Sequence, residues 1–311
     1  MTGIVEQKDA TAAQKRICEI NSGIMALPTA RLARWLSQIK NKNAQKEYYL
    51  TDIIALAVRD HVPVTGLKVE DAGEIQGVNS RAQLAQLERT YQWLQAAELL
   101  DAGVTLVDPL RFDLRGTLHC GRDVQIDVNC VFEGEIVLRD NVSIGAHCIL
   151  KDVTIAAGTR IEPFSHLDGA EIGARCRIGP YARIRPGTQL GAEVHVGNFV
   201  EIKASTIGDG SKANHLSYVG DTSVGRNVNI GAGTITCNYD GAAKHRTVIE
   251  DEVHIGSDVQ LIAPVRIAQG TTVGAGTTVW KDTPAGGLII NPKIQEHRTG
   301  WQRPRKATGR K

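Results

Sequence analysis

Branched apolar residues recur every six positions through the middle of the chain: Ile172, Ile178, Ile184, Leu190, Val196 and Ile202. A second run follows with Ile255, Leu261, Ile267, Val273 and Val279. A helix repeats at about 3.6 residues and a strand at about 2, so neither explains this period. A short strand followed by a corner does. Three such units close a triangular coil of about 18 residues, and stacked coils form a parallel β-helix. The residue after each apolar position is mostly small, as at Gly173, Gly179, Gly191, Gly197, Gly256, Ala268 and Gly274. The position two before is small or moderate (Ala170, Cys176, Ala182, Thr188, Val194, Val200), which predicts a tight inner corner.

The repeat has an imperfect start and two interruptions. From about Val104 the strand pattern begins, with Val124, Ile126, Val131, Ile136, Leu138, Val142 and Ile144. The interruptions are Gly208 to Asn214 and Asn238 to Thr247; a solenoid accepts insertions at its corners, where they often line the binding face. Upstream, residues 1–78 read as mixed α/β, the end of a larger domain. Thr11 can cap a helix to about Ile20, and Ile24–Ala26 and Val62–Val69 are strand candidates. Helices are predicted from Thr29 to Ile39, with Leu32, Trp35, Leu36 and Ile39 on one face, and from Asp52 to Val58. Asn79 or Ser80 can cap a long helix to about Leu100, with Leu84, Leu87, Tyr91 and Leu94 as its apolar face. The expected organisation is therefore 1–78, a connecting helix over 79–103, the β-helix over 104–285 and a tail over 286–311 carrying Arg298, Arg303, Arg305, Lys306, Arg310 and Lys311.

Composition narrows the function. Gly is abundant and aromatics are scarce, as suits a solenoid filled with branched aliphatics, and the net charge of +2 is too small to imply nucleic acid. No apolar run approaches the length of a membrane span, and the N-terminus lacks a signal-peptide pattern. Cys18, Cys120, Cys130, Cys148, Cys176 and Cys237 show no CxxC, so reduced thiols in a cytoplasmic protein are expected.

The repeat breaks its own rule twice. Arg185 follows Ile184 and Lys203 follows Ile202 where a small residue is expected. One coil separates them, so they should stack at about 4.8 Å. Like charges that close repel. Solvated surface charges tolerate this, and a bridging phosphate removes it by meeting arginine's fork and lysine's point charge. His215 follows the first interruption, is expected near Arg185 and Lys203 in coil terms, and suits proton transfer at neutral pH, with Glu201 as a candidate to orient it. His147, His166, His195 and His254 are the raw material for a metal hydratase instead, as some hexapeptide β-helices carry zinc.

Three long motifs carry a family resemblance: Gly197 to Lys203 (GNFVEIK), Asn214 to Asp221 (NHLSYVGD) and Asn229 to Gly241 (NIGAGTITCNYDG). Shorter matches lie at Gly3 to Glu6, Glu19 to Gly23 and Gly77 to Arg81, so the likeness covers essentially the whole chain. The sequence resembles the bifunctional bacterial N-acetylglucosamine-1-phosphate uridyltransferase/glucosamine-1-phosphate acetyltransferases. The resemblance implies a left-handed β-helix of hexapeptide repeats, against the usual crossover hand, and a homotrimer with active sites between subunits. It also implies acetyl-CoA-dependent N-acetylation of glucosamine 1-phosphate in UDP-N-acetylglucosamine synthesis, with small molecules rather than nucleic acid or membrane as partners. By resemblance, His215 is the general base. Arg185, Lys203, Tyr218, Asn229 and Lys244 meet the sugar phosphate, and Ala232, Asn238, Tyr239, Ser257 and Ala275 meet acetyl-CoA. The family's C-terminal arginine contact to the cofactor falls at about Pro292, beside Lys293. Glu6, Asn21 and Asn79 match later UDP-sugar contacts, with Asn79 also a Mg2+ ligand. The family's LxAGxGTRM-type nucleotide loop does not occur in the sequence, so the chain reads as an N-terminally truncated member without uridylyl transfer. A non-catalytic scaffold and an acyltransferase on another sugar are the competing expectations.

Overall fold

A computed structural model describes residues 1–303; the basic positions Arg305, Lys306, Arg310 and Lys311 lie outside the described residues. The chain divides into two compact units, residues 1–88 and 89–311. Among the described residues no helix is long and apolar enough to cross a membrane.

The first unit holds helices α1 (Thr29–Leu36) and α2 (Asp52–Arg59). They meet through Trp35, Ile53 and Ala57, with Leu27, Leu32, Ile39 and Val62 packed around them. The Trp35 indole Nε1–H donates to Asp60 Oδ2 at 2.9 Å, and this bond, with the nearby arginine charges, holds the Asp60 carboxyl below its usual range. Leu36, expected on the apolar face, is exposed. Thr11 caps only a single turn, Gln14–Arg16, through its Oγ1. Ile24–Ala26 and Val62–Val69 are not strands, so the described part of this unit is not mixed α/β. An extended segment becomes a strand only when another supplies its hydrogen bonds, and no such partner lies in this stretch.

Helix α3 (Arg81–Asp101) is capped by Ser80, whose Oγ accepts from Gln83 N–H. Leu84, Tyr91 and Leu94, predicted as its buried stripe, are exposed, whereas Gln92 and Ala96 are buried. The reason is polar. The open end of the β-helix leaves strand backbone unpaired. Gln92 Nε2 donates to Leu114 O at 2.8 Å and its Oε1 accepts from Leu114 N–H at 2.7 Å.

From Thr105 onward short parallel strands wind into a left-handed β-helix of two sheets, 11- and 15-stranded, the larger wrapping a corner to make two faces. Three faces result. Face I includes His195–Asn198, Lys212–His215 and Asn229–Ile230. Face II includes Arg183–Ile184, Glu201–Lys203, Tyr218–Gly220 and Ile235–Cys237. Face III includes Thr188–Leu190, Thr206–Ile207, Thr222–Val224 and Thr247–Ile249. The repeated aliphatics stack in register, Ile184 on Ile202 and Ile230 on Ile255, and are buried. The positions two before them are buried as well. Of the imperfect first coils, Val131 is only half-buried and Phe132 beside it fills the interior.

The small residue after each aliphatic has a steric cause. A Cβ on Gly173 would meet Gly191 O at 2.2 Å, backbone of the next coil that no side-chain rotation can move. Corners turn through residues of positive φ, stacked one above another. The corner from face I to face II (the first corner) uses His147, Phe164, Tyr181, Phe199 and Leu216, and the corner from face II to face III (the second corner) uses Asp152, Ala204 and Asp221.

The first expected interruption is no insertion. Leu190 pairs with Ile207 and Val196 with Ala213, whereas Ile184 pairs with Ile202. The coil through Gly208 is therefore one residue short, and Ala213 takes the aliphatic place. The second interruption is real. Thr222 pairs with Thr247, well beyond the length of one coil, so Asn238 to Arg246 loop out at the second corner.

All six cysteines are free. Burial pushes the Cys130 thiol up to about 11 and Cys148 up to about 12. Both should ignore a thiol reagent at pH 8 in the native protein and react once it is unfolded in denaturant. Gly173→Ala should lower stability by about 1–3 kcal/mol in urea unfolding. Gly77→Ala, with open space at its Cβ, is the control and should change it little.

Candidate active site

Parallel stacking puts residues one coil apart directly above one another, and at the second corner this assembles charge. Arg183 and Ile184 pair with Glu201 and Ile202, and Arg185 N–H donates to Ile202 O at 2.8 Å, so Arg185 and Lys203 occupy successive rungs of one edge. Their mutual repulsion is offset within the chain. Arg185 Nη1 lies 2.7 Å from Glu201 Oε1, and Lys203 Nζ lies 3.6 Å from Asp221 Oδ2. A bridging anion is therefore not needed to hold the pair together, contrary to the expectation from spacing alone. The looped segment joins the same edge. Lys203 is held above the ordinary lysine range by its hydrogen bond to Lys244 and by the Asp221 charge, and Lys244 is pulled below it by that bond and by the Lys203 charge. Asn238 Nδ2 donates to Asp221 Oδ2 and approaches Tyr218 Oη at 3.4 Å. Tyr239 pairs with Lys244 across the loop.

The first corner carries different chemistry. His215 ends its face I strand directly above Asn198. Its Nδ1 is 3.1 Å from Asn198 Oδ1. In the neutral ring this oxygen partner favours the tautomer with the proton on Nδ1 and the lone pair on Nε2. Glu201 is not the orienting group, because it faces Arg185 and Arg183. Above His215 the same corner rises through Ala232, Ser257 and Ala275. Asp258 N–H donates to Ala232 O at 2.7 Å and Gly276 N–H to Ser257 O at 2.8 Å. Lys293 Nζ donates to Gly276 O at 2.6 Å, so the lysine beside Pro292 tops this column. Asn229 is exposed on face I, paired with Lys212 and His254.

Face II thus separates two groups. Arg185, Lys203, Lys244, Asn238 and Tyr239 stand at its second-corner edge. His215, Ala232, Ser257 and Ala275 stand at its first-corner edge, with Tyr218 opening the strand between. Sequence distance alone suggested that His215 lies beside the two cations; a strand of roughly 10 Å lies between them. It also passed over Asn198 and Asp221. Both could be found by the coil length, since Asn198 lies one short coil before His215, and Asp221 directly follows Gly220, which lies one short coil after Lys203.

Glu6, Asn21 and Asn79 are not hydrogen-bonded to one another among the described residues. Glu6 O accepts from Asp9 N–H, Asn79 N–H donates to Gln83 Oε1, and Asn21 is exposed. Magnesium takes carboxylates and waters in a near-ideal octahedron. Asn79 brings no carboxylate cluster with it, and among the described residues no three His, Cys, Asp or Glu side chains gather to hold a metal. His166, His195 and His254 lie on separate strands, and His147 stacks on Phe164 at 4.9 Å.

Two family profiles match within the β-helix: a GMPPB C-terminal domain over residues 114–207 and a hexapeptide repeat of succinyl-transferase over residues 246–281. The bifunctional protein GlmU of Burkholderia multivorans is 59% identical over 304 residues, covering 98% of this chain and 67% of the relative. The chain belongs to the GlmU family. GlmU proteins of Nitrosospira multiformis and Chromobacterium violaceum are 60% and 57% identical, with 98% and 99% of this chain covered and 66% and 68% of theirs. Among solved structures, Arabidopsis UDP-N-acetylglucosamine acyltransferase superposes over 61% of this chain and 70% of its own at 13% identity and a TM-score of 0.31. The GlmU family assignment rests on the sequence relatives.

Asn198 is the structure's own addition to the site. Asn198→Ala should lower kcat about fivefold with little change in either KM, because a lost neutral hydrogen bond of about 1 kcal/mol frees the imidazole to turn. Steady-state kinetics checks this; an unchanged kcat removes Asn198 from the site.

Proposed function

We propose that face II is where this glucosamine-1-phosphate N-acetyltransferase brings its sugar phosphate and acetyl-CoA together. Arg185 and Lys203 hold the phosphate, and Lys244 closes on it from the loop, with Tyr218 and Asn229 meeting the sugar. Ala232, Ser257 and Ala275 line the thioester's path down the first corner toward His215, with Asn238 and Tyr239 meeting the cofactor from the looped segment. The observation that carries this reading is the column itself: a histidine with an available Nε2 at its foot, and a smooth small-residue edge above.

In the step proposed, His215 Nε2 takes a proton from the 2-amino group as its nitrogen attacks the thioester carbonyl. Backbone N–H groups at the corner near Ala232 steady the oxyanion. Collapse breaks the C–S bond, and the coenzyme A sulfur leaves as thiolate or takes the proton back from His215. The phosphate clamp supplies orientation, which turns a bimolecular encounter into a positioned one.

A homotrimer with its sites between subunits belongs to this reading, neighbouring protomers packing along these corners. The exposed aromatic ladder of the first corner, Phe164 on Tyr181 at 4.9 Å and Tyr181 on Phe199 at 5.4 Å, suits such a seam. A reducing cytoplasmic setting belongs to this reading, with every cysteine free. The residual UDP-sugar residues Glu6, Asn21 and Asn79 are assigned no step, and these 311 residues contain no glycine-rich nucleotide loop. Mg2+-dependent uridylyl transfer is therefore not expected of this chain alone.

His215→Ala should lose about 10²–10⁴-fold in kcat, the usual contribution of a general base, in an assay of released coenzyme A thiol. Lys203→Ala should instead raise the KM for glucosamine 1-phosphate, and glucosamine without phosphate should be a poor substrate. Mixing the two inactive variants under conditions that exchange subunits should restore part of the activity. No recovery from exchanged trimers would place each site within a single protomer.

A further inference from the structure

The looped segment at the second corner is closed by an Asp–His hydrogen bond that the acetyl-transfer reading leaves unused. Asp240 sits at the tip. Its Oδ1 accepts from Ala242 N–H at 2.8 Å and Ala243 N–H at 2.7 Å, which fixes the turn. Its Oδ2 lies 2.7 Å from His245 Nε2. His245 N–H in turn donates to Asn238 O at 2.8 Å, and Tyr239 bridges Lys244. The backbone N–H groups of Ala243 and Ala242, with the His245 ring, pull the Asp240 carboxyl far below its usual range, so the acceptor is ionised throughout the neutral range.

His245 directly follows Lys244, and the two side chains take different partners. One is tied to the loop tip; the other is delivered to Lys203. A lysine side chain loses up to about 2 kcal/mol of rotamer freedom when it is fixed. Anchoring the adjacent backbone at both the turn and Asn238 removes part of that cost before substrate arrives. We propose that Asp240 and His245 are positioning residues: their pairing holds the loop so that Lys244 is preset over the Arg185–Lys203 clamp. This rests on the reading of Lys244 as a sugar-phosphate contact.

The loop is largely exposed and outside the β-helix core, so the effect is on substrate binding rather than on folding. His245→Phe, which keeps bulk and removes the donor, should raise the KM for glucosamine 1-phosphate about tenfold, the loss of one charge-assisted hydrogen bond. The kcat and the melting temperature should hold. His245→Gln, which retains an N–H donor, should recover part of the KM. Asp240→Asn keeps an acceptor for the turn but presents an amide to His245, and should resemble His245→Phe.

The deciding measurement is the cycle with Lys244→Ala. If His245 acts through Lys244, the double variant Lys244→Ala/His245→Phe has the same KM as Lys244→Ala alone. Additive losses, or a normal KM in His245→Phe when Lys244→Ala is impaired, overturn the positioning role. A normal KM in Lys244→Ala itself overturns the reading of Lys244 beneath it, which is a separate result.

Discussion

The hydrogen bonding of each coil to the next is the constraint from which the rest of this β-helix follows. In a parallel ladder every backbone N–H and C=O is satisfied by a neighbour about 4.8 Å away, and the chain returns to the same face once per coil. That return converts a sequence interval into a spatial contact. Ile184 meets Ile202 in the interior for the same reason that Arg185 meets Lys203 on the edge. The interior is filled mostly by branched aliphatics, with small polar groups such as Thr188, Ser205 and Thr222, whose hydroxyls bond to strand carbonyls.

Chemistry gathers at corners because the faces have none to spare. Side chains along a face alternate between the packed interior and the outer surface, whereas those at a strand's end line an open edge beside the corner. The second corner uses this freedom for charge, with alternating cations and carboxylates from Arg185 to Asp221 that offset one another. The first corner uses it for shape: aromatic rings below His215, then small residues above. The long insertion falls at the charged corner, where it adds Asn238, Tyr239 and Lys244 without disturbing a rung.

Much of this was legible in residue order. The period of six exposed the solenoid, and two long cations in a small-residue position marked an edge that does something other than turn. The same logic, pushed one step further, would have found Asn198 beneath His215. The misreadings have physical causes. Gly208 to Asn214 looked like an insertion because Ala213 is too small to register as the missing aliphatic. Leu84, Tyr91 and Leu94 looked like a buried stripe because nothing local announces that a glutamine amide will be used to close the open end of a sheet.

Sequence by itself determined the repeat, its interior and the identity of the reactive side chains, because a six-residue period and a long motif are local properties of the chain. Tertiary structure alone decided which edge each side chain occupies. A short coil and a full coil differ by a single position in a face of only a few, and no local pattern shows where that residue is lost. His215 stands at the first-corner edge of face II because it ends a face I strand, and Arg185 and Lys203 stand at the other edge because they follow the aliphatics of face II.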